Sequence, residues 1–310
     1  MEARQNKIGR IVAGSILGIV AGISGFYFAE SGTQGMGMLM FWGIPMLSGF
    51  AIGFAMRTLE AAAIATSISL LGTLVILIAV GKEGPLCAFM AFFLLAGMVG
   101  LGAFLGAWVR SLIKPGRSQN TTIGIFVLLT PVLLFSAKKI EKPLLDHSRI
   151  ETVSDTVWVP DTVGDVWTDI QSIDAIHGSR PWLMHLGLPI PLRCTLEKPG
   201  LGAKRTCYFD KGYIEETVTE WNPPYTLGLV IDRTHMSGRH WLGFENAAYH
   251  LQLSGRGTQL TRTTVISSHL RPAWYWRPLE RLGVSSEHRY ILQDVVIRAE
   301  QGYGDKTAKK

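Results

Sequence analysis

The chain has 310 residues, of which 47 % are hydrophobic and 17 % are charged, and its formal net charge is +6 at pH 7. This charge is not concentrated in a basic stripe, which argues against a nucleic-acid partner. The charges are spread unevenly: apolar runs follow one another up to about residue 137, and a sequence of mixed polarity follows. This pattern excludes a soluble protein, because consecutive apolar runs have no polar face to present to water.

Five apolar runs in the first part of the chain each predict a transmembrane helix, since about 20 mostly apolar residues cross the roughly 30 Å of hydrocarbon in a bilayer. The runs are 8–29, 36–56, 60–80, 86–109 and 120–137. The last run is short and contains Pro131, so it either crosses the membrane or lies in its interface. Basic residues precede the first run, but that run is too long for a secretory signal and another follows at once. We therefore predict an α-helical transmembrane bundle over residues 1–137, in a bacterial inner membrane.

Lysine and arginine positions predict the orientation of this bundle, because basic loops favour the cytoplasmic side. An amino terminus in the cytoplasm places seven basic residues on that side: Arg4, Lys7, Arg10, Arg57, Arg110, Lys114 and Arg117. Five spans then place the second part of the chain outside the cytoplasm, which we favour. Lys138, Lys139 and Lys142 oppose this orientation. If 120–137 does not cross, the second part is cytoplasmic and these lysines face anionic lipid head groups.

Glycines recur at every fourth position in two of the runs. Gly14, Gly18 and Gly22 form one row, and Gly102 and Gly106 repeat its spacing. Such rows let two helix backbones approach closely, which predicts packing within the bundle or a homo-oligomer through the first row. Charged residues lie only at the ends of the runs, so a translocation path, which needs polar groups at mid-membrane depth, is not expected.

After the bundle, residues 138–150 predict a charged connector, 151–302 a folded α+β domain and 303–310 a disordered tail. Alternating polarity predicts strands, which are 151–159, 204–210, 213–221, 226–232, 245–253 and 258–268 in an antiparallel arrangement. The segment 171–192 is irregular. A short helix is predicted after Pro160, capped by Asp161 or Thr162, and a long terminal helix over 285–301, capped by Ser285 or Ser286.

Two stretches of this domain resemble a known family. Residues 157–167 (VWVPDTVGDVW) resemble the opening strand and helix of the SRPBCC superfamily, also called START-like or Bet v 1-like, which includes polyketide cyclase/dehydrase-type proteins. Residues 202–224 resemble its middle signature, and the resemblance covers about 150–300. It implies a helix-grip fold, in which a curved antiparallel sheet surrounds a long C-terminal helix and leaves an apolar cavity. The family shares no universal catalytic residue, so none is transferred.

These features predict membrane-anchored binding of a hydrophobic or lipid-like small molecule, without a cofactor. The alternatives are a cyclase- or dehydratase-like enzyme acting on a bound apolar substrate, and a ligand-sensing interaction module. Metal-binding spacings, phosphate-binding loops and hydrolase elbows are not found in the sequence, so no metal site is predicted.

Glu216 is the main candidate for a site residue, because it shares a strand face with Ile214 and Val218. If that face lines the cavity, its carboxyl group binds a polar group of the ligand or acts as an acid or base. Alternatively the face points outward, or Arg205 or Arg262 pairs with the carboxylate from a neighbouring strand.

Four further residues are candidates for ligand binding. His185 lies in the irregular segment expected at the mouth of the cavity and is the second candidate for an acid or base. The residues expected to line the cavity are Tyr208, Tyr249 and Trp241. The aromatic stretch 274–276 is expected to be a membrane anchor, a lid or simple packing. Cys194 and Cys207 either form a disulfide or are small buried residues.

Overall fold

The computed structural model describes residues 2–113, 117–236 and 241–308 of the chain. Lys114 and the side chains of Arg4 and Arg117 lie outside the described part. The chain divides into two compact units. The first extends to His147 and also contains His269–Ala273, and the second contains Ser148–Ser268 and the chain from Trp274 onward.

The first unit is helical. Its helices are α1 (Glu2–Glu30), a π-helical turn (Leu39–Gly43) that continues into α2 (Ile44–Ala55), α3 (Leu59–Ala79), α4 (Pro85–Leu112) and α5 (Arg117–Leu145). Local sequence sets two of the starts. The hydroxyl of Thr58 accepts a hydrogen bond from the amide of Ala61 at 3.2 Å and caps α3. Proline at the first position of α4 supplies a backbone angle suited to a helix.

Among the described residues, three helices rather than five are long and apolar enough to cross a membrane: Lys7–Glu30, Leu59–Ala79 and Pro85–Leu112. The prediction of five spans is corrected in two places. The run 36–56 yields only the shorter helical stretch Leu39–Ala55, about 25 Å long at 1.5 Å per residue. The run 120–137 lies within α5, which has polar sequence at both ends and extends into the predicted connector as far as Leu145.

The direction of the helices alternates along the chain. Helices α1 and α3 run parallel, because Lys7 pairs with Glu60 at 3.0 Å near their starts and Ser69 donates to the carbonyl of Ser15 at 3.2 Å further along. The π-helical turn and α2 therefore lead the chain back from the end where α1 finishes to the end where α3 begins.

The basic residues are divided between the two ends of the bundle. At the end where α3 begins, Arg110 donates to the carbonyls of Phe54 and Ala55 at 2.7 and 3.1 Å. At the opposite end, Lys138 donates to the carbonyl of Phe28, and Lys142 donates to that of Gly32 at 2.9 Å. These two lysines satisfy carbonyls at and just beyond the C-terminus of α1, where positive charge is favourable.

Both glycine rows pack within the first unit. A Cβ atom added at Gly18 would meet the side chain of Ser69 on α3, and one added at Gly22 would meet Thr73. In the same way, Gly102 lies against the carbonyl of Met46 on α2. The face proposed for a homo-oligomer is therefore occupied by a helix of the same chain, and the intramolecular alternative describes its packing.

Replacing Gly102 by alanine should destabilise the first unit, because the new methyl group would collide with the backbone of α2 rather than with a movable side chain. We expect a loss of about 1–3 kcal/mol, seen as a lower thermal midpoint of the detergent-solubilised chain. The matched control is Gly100→Ala on the same helix, where an added Cβ meets nothing within 4 Å. Equal midpoints for both variants would contradict the close packing of α2 and α4.

The second unit is a seven-stranded antiparallel sheet with three helices. Its elements are β1 (Arg149–Val159), α6 (Val163–Gln171), α7 (Trp182–His185), β2 (Pro191–Leu196), β3 (Lys204–Phe209), β4 (Gly212–Asn222), β5 (Thr226–Met236), β6 (Leu242–Ser254), β7 (Gly257–Ser268) and α8 (Ala273–Ala308). The strand order is β1-β7-β6-β5-β4-β3-β2. Leu292, Val295 and Ala299 of α8 belong to one buried cluster with side chains of the sheet. The predicted helix-grip architecture is confirmed.

Several boundaries differ from the sequence predictions. Strand β2 was not predicted. It is short, and half of its residues are exposed. Helix α8 begins at Ala273 rather than near 285, so Ser285 and Ser286 lie inside the helix and do not cap it. The predicted cap of α6 is confirmed, since the Thr162 hydroxyl accepts from the amide of Asp165 at 3.2 Å. Helix α8 extends through 303–308 of the predicted tail, and 309–310 lie outside the described residues.

Candidate functional site

The side chains between the sheet and α8 form apolar groups with polar side chains among them. One apolar group contains Leu292, Val295 and Ala299, and another contains Val153, Ile266 and Val284. On α8 the polar positions lie between these two groups. We call the polar set the polar belt, and its members are Asp155, Arg205, Glu216, Tyr249, Arg262, Thr264, Glu287 and His288. The belt is the candidate functional site.

Alternation along the strands brings the charged members of the belt inside. In β7, Leu260, Arg262, Thr264 and Ile266 are all buried and alternate with more exposed residues. Arg262 is therefore a charged residue within an inward-facing row of uncharged residues. In β3 and β4, Arg205 lies directly opposite Glu216. The register of the sheet, rather than any local motif, therefore assembles the belt.

Glu216 faces the interior, which is one of the orientations that the sequence left open, and it is paired. Its carboxylate accepts from Nη1 of Arg205 at 2.7 Å, and both residues are buried. The other nitrogens of Arg205 donate to the last carbonyls of α6, those of Gln171 at 3.2 Å and Ile170 at 3.4 Å. Burial lowers the pKa of Arg205, but the carboxylate of Glu216 outweighs it and the pKa lies above its ordinary value. Of the alternatives raised by the sequence, pairing with Arg205 is the one observed.

Tyr249 lies between two buried cations. The guanidinium carbon of Arg205 is 6.0 Å from the centre of its ring, and that of Arg262 is 5.5 Å away. At these distances the ring face attracts both charges. Tyr249 is itself almost wholly buried, so the predicted lining residue is at the centre of the belt.

Arg262 is buried, with only 8 % of its surface exposed, and is incompletely paired. Its Nη2 donates to Glu287 on α8 at 3.1 Å. Nε and Nη1 have no hydrogen-bond partner among the residues that the structure describes. Burial lowers the pKa of this guanidinium, but the carboxylates of Glu287 and Glu216 outweigh it and the pKa is raised. Arg262 is therefore a fully ionised group with unused donors.

His288 is enclosed by Asp155 and Thr264. Its Nδ1 is 2.9 Å from Oδ2 of Asp155 and its Nε2 is 2.8 Å from Oγ1 of Thr264. A carboxylate only accepts hydrogen bonds, so Nδ1 carries the proton and Nε2 accepts from the hydroxyl. Burial first, and then the charge of Arg262, lower the pKa of His288 to about 2, and the ring is neutral.

The predicted site residues do not all meet in this interior. Glu216 and Tyr249 belong to the belt, and Trp241 is buried near the start of β6. His185 is exposed at the end of α7. Tyr208 is half-buried beside Arg193, whose guanidinium carbon is 4.5 Å from the centre of its ring. In the aromatic stretch at the start of α8, Trp274 is exposed and Trp276 is buried.

Several belt residues were not predicted as site residues. Arg262 appears in the sequence at an inward position of an alternating strand, which is a readable signal. His288 lies four residues before Leu292 and so shares the apolar stripe of α8. Asp155 shows the same signal as Arg262, because it alternates with Val153 and Val157 along β1.

Cys194 and Cys207 form a disulfide, with an S–S distance of 2.08 Å, between directly opposed positions of β2 and β3. The pair is buried with Ile173 and Ile291. It joins strand β2 at the edge of the sheet to the more central strands. Within the described residues, no group of three His, Cys, Asp or Glu side chains is placed to hold a metal ion.

No protein-family model matches the chain, and no curated protein does. Solved structures do resemble it. A START superfamily protein from Mycobacterium smegmatis shares 11 % identity over 48 % of this chain and 97 % of its own, with a TM-score of 0.35. A protein from Mesorhizobium loti shares 17 % over 48 % and 98 %, with a TM-score of 0.31. Ara h 8.0201 shares 10 % over 49 % and 99 %, with a TM-score of 0.32. At these values they indicate no ligand or activity. The strand order and the terminal helix show that the second unit has a helix-grip fold.

The neutral, buried state of His288 predicts acid sensitivity. In the unfolded chain the imidazole has its ordinary pKa of 6.5, so below that pH unfolding takes up a proton and the free energy of unfolding falls. A single group gives a slope of up to about 1.4 kcal/mol per pH unit. Denaturation of the solubilised chain between pH 7 and 5 should show this slope in the wild type and a shallower one in His288→Gln. The exposed-residue control His185→Gln should keep the wild-type slope, and identical slopes for both variants would refute the assignment.

Proposed function

We propose that the second unit binds a hydrophobic or lipid-like small molecule between its sheet and α8, and that the apolar helices keep it at a membrane. The observation that carries this proposal is an interior of apolar side chains around a polar belt, in a chain with three helices able to span a bilayer. Burial of apolar ligand surface contributes about 25 cal/mol per Å² relative to water. An apolar molecule that reaches the interior is therefore held against escape into water.

The source of the ligand changes which interactions decide binding. A bilayer core is about as apolar as a protein interior, so a molecule that moves from one to the other gains little from the hydrophobic effect. Its polar group, by contrast, moves from hydrated lipid head groups to the belt. Selection among membrane molecules therefore depends on the polar belt more than on the apolar lining.

Two observations support placing the second unit outside the cytoplasm. Helix α5 ends near Gly32, at the end of the bundle opposite to Lys7 and Arg110, and the sequence predicts the end that contains Lys7 and Arg110 to be cytoplasmic. The disulfide of the second unit points the same way, since disulfides persist mainly in oxidising compartments.

The enzyme alternative has less support. Glu216 is paired with Arg205 inside the unit, whereas His185 is exposed on α7. The two candidate acid–base residues are therefore not brought into one site.

Adding volume at the interior tests the binding proposal. Ala247 is buried and faces inward on β6, while its neighbour Ala248 lies on the opposite face of the strand. We expect Ala247→Met to lower the amount of lipid retained by the full-length chain, measured by native mass spectrometry after detergent release. Ala248→Met should retain the wild-type amount.

Thermal midpoints of the same samples separate loss of ligand from loss of folding. A wild-type chain that retains no lipid, or two variants that retain it equally, would count against a ligand between sheet and helix.

Labelling from outside the cell tests the orientation. In a Cys87→Ser background, a cysteine replacing Arg256 in the exposed β6–β7 turn should react with a membrane-impermeant maleimide on intact cells. A cysteine replacing Gln5, before the apolar part of α1, should react only after permeabilisation. The reverse pattern would place the second unit in the cytoplasm.

A further inference from the structure

Two buried arginines of the polar belt differ in how their donors are used. Arg205 is 2 % exposed, and all three of its nitrogens donate to acceptors on β4 and α6. Arg262 is 8 % exposed, and only Nη2 donates, to Glu287. The same interior therefore holds one guanidinium whose nitrogens are all hydrogen-bonded and one with two nitrogens that lack a partner.

The unused part of Arg262 is large. Nε carries one N–H group and Nη1 carries two, and neither nitrogen meets an acceptor in the described chain. Buried polar groups in native proteins almost always have a partner, from the protein or from a bound molecule, because an unpaired donor loses its hydration without compensation. A charged donor loses more than a neutral one.

The neighbours of Arg262 do not offer the missing acceptors. Glu216 is held by Arg205, and Asp155 accepts from His288 and from Ser285. The Nε2 lone pair of His288 is taken by the hydroxyl of Thr264. The remaining side is the ring of Tyr249, which attracts the charge but accepts no strong hydrogen bond.

We propose that Arg262 binds the anionic oxygen group of an amphiphile whose apolar chain lies between the sheet and α8. This inference rests on the proposed function and deepens it, because it assigns a chemical class to the ligand. Hydrogen bonds from guanidinium to an ionised oxygen are stronger and more directional than those to a neutral oxygen. A carboxylate and a phosphate monoester share this chemistry, whereas an alcohol of equal length does not.

The apolar groups on either side of the belt are the surfaces that we expect the chain of the ligand to contact. Leu260 on β7 precedes Arg262 on the inward face and belongs to the cluster with Leu292 and Val295. Ile266 follows it on the same face and belongs to the cluster with Val284. A head group at Arg262 thus has apolar surface within one or two strand positions in either direction.

Competition between probes of one chain length tests the proposal in the wild-type protein. The full-length chain in detergent is incubated with equal amounts of laurate, dodecyl phosphate and dodecanol, and the bound species are counted by native mass spectrometry. Either anion should exceed dodecanol by about ten-fold or more, the range expected when charge-assisted hydrogen bonds replace neutral ones. The ratio of laurate to dodecyl phosphate distinguishes a free carboxylate from a phosphate head group as the preferred source.

Substitutions test whether Arg262 causes the preference for anionic probes. Arg262→Met should bring laurate and dodecyl phosphate down to the level of dodecanol, while Arg262→Lys, which keeps the charge but loses the planar fork, should keep part of the preference. Arg256→Met, in the exposed turn of the same hairpin, should leave it unchanged.

Each outcome bears on one of the two proposals. Equal binding of anions and dodecanol by the wild type overturns the role of Arg262 and leaves hydrophobic ligand binding intact. Binding of none of the three probes overturns both. A preference for anions that survives in a folded Arg262→Met protein overturns the assignment to this residue. If Arg262→Met does not fold, the wild-type competition and the lysine variant still decide.

Discussion

The arrangement of the second unit depends on how two guanidinium groups are accommodated beside the ring of Tyr249. An isolated charge in an apolar interior is too costly to persist, and a buried pair contributes little net stability even when its geometry is good. Arg205 meets this constraint through Glu216 and the carbonyl end of α6. Arg262 meets it only in part, through Glu287. The guanidinium on the β3–β4 side thus has all its nitrogens hydrogen-bonded, whereas the guanidinium on β7 has nitrogens that could still donate to an acceptor.

The belt also fixes how α8 lies on the sheet. Glu287 and His288 are adjacent on α8. Glu287 accepts a hydrogen bond from Arg262 of β7. His288 bonds to Thr264 of β7 and to Asp155 of β1, so α8 is joined to both strands at one edge of the sheet. Removing one partner of such a network leaves another buried group unsatisfied. Apolar packing of α8 alone would tolerate a slip along its axis, whereas directional hydrogen bonds select one register.

Much of this fold was readable from the sequence, because alternation and capping are local properties. The shared face of Ile214, Glu216 and Val218 and the cap at Thr162 followed from spacing alone. The partners in the belt were only partly predictable, since Arg205 was one of several alternatives and Glu287 was not considered. Which side chains meet across β1, β7 and α8 depends on sheet register and on the start of α8, and no local pattern specifies either. The early start of α8 was missed because Pro278 and the aromatic stretch 274–276 do not show an apolar stripe.

In the first unit, too, local sequence patterns predicted the elements but did not predict which elements pack together. Apolar length identified the three helices able to span, and glycine spacing identified surfaces of close approach. The spacing did not specify which helix packs against each glycine row. In the structure, the glycine row of α1 packs against α3 of the same chain. Likewise Lys138 and Lys142, which opposed the favoured orientation as isolated charges, are bonded to carbonyls at the end of α1.

On the proposed function, the second unit selects its ligand from among the lipids of a bilayer, a problem that a soluble carrier does not have. Every lipid in the adjoining bilayer offers an apolar chain, so apolar lining alone cannot distinguish one from another. Discrimination has to come from a group that the bilayer itself does not provide, and a buried guanidinium with unused donors is such a group. Because an unpaired donor is most costly when water is excluded, burial of Arg262 penalises the wrong ligand as well as favouring the right one. On the proposal that the unit binds an amphiphile, the incomplete pairing of Arg262 provides specificity for a bound anion.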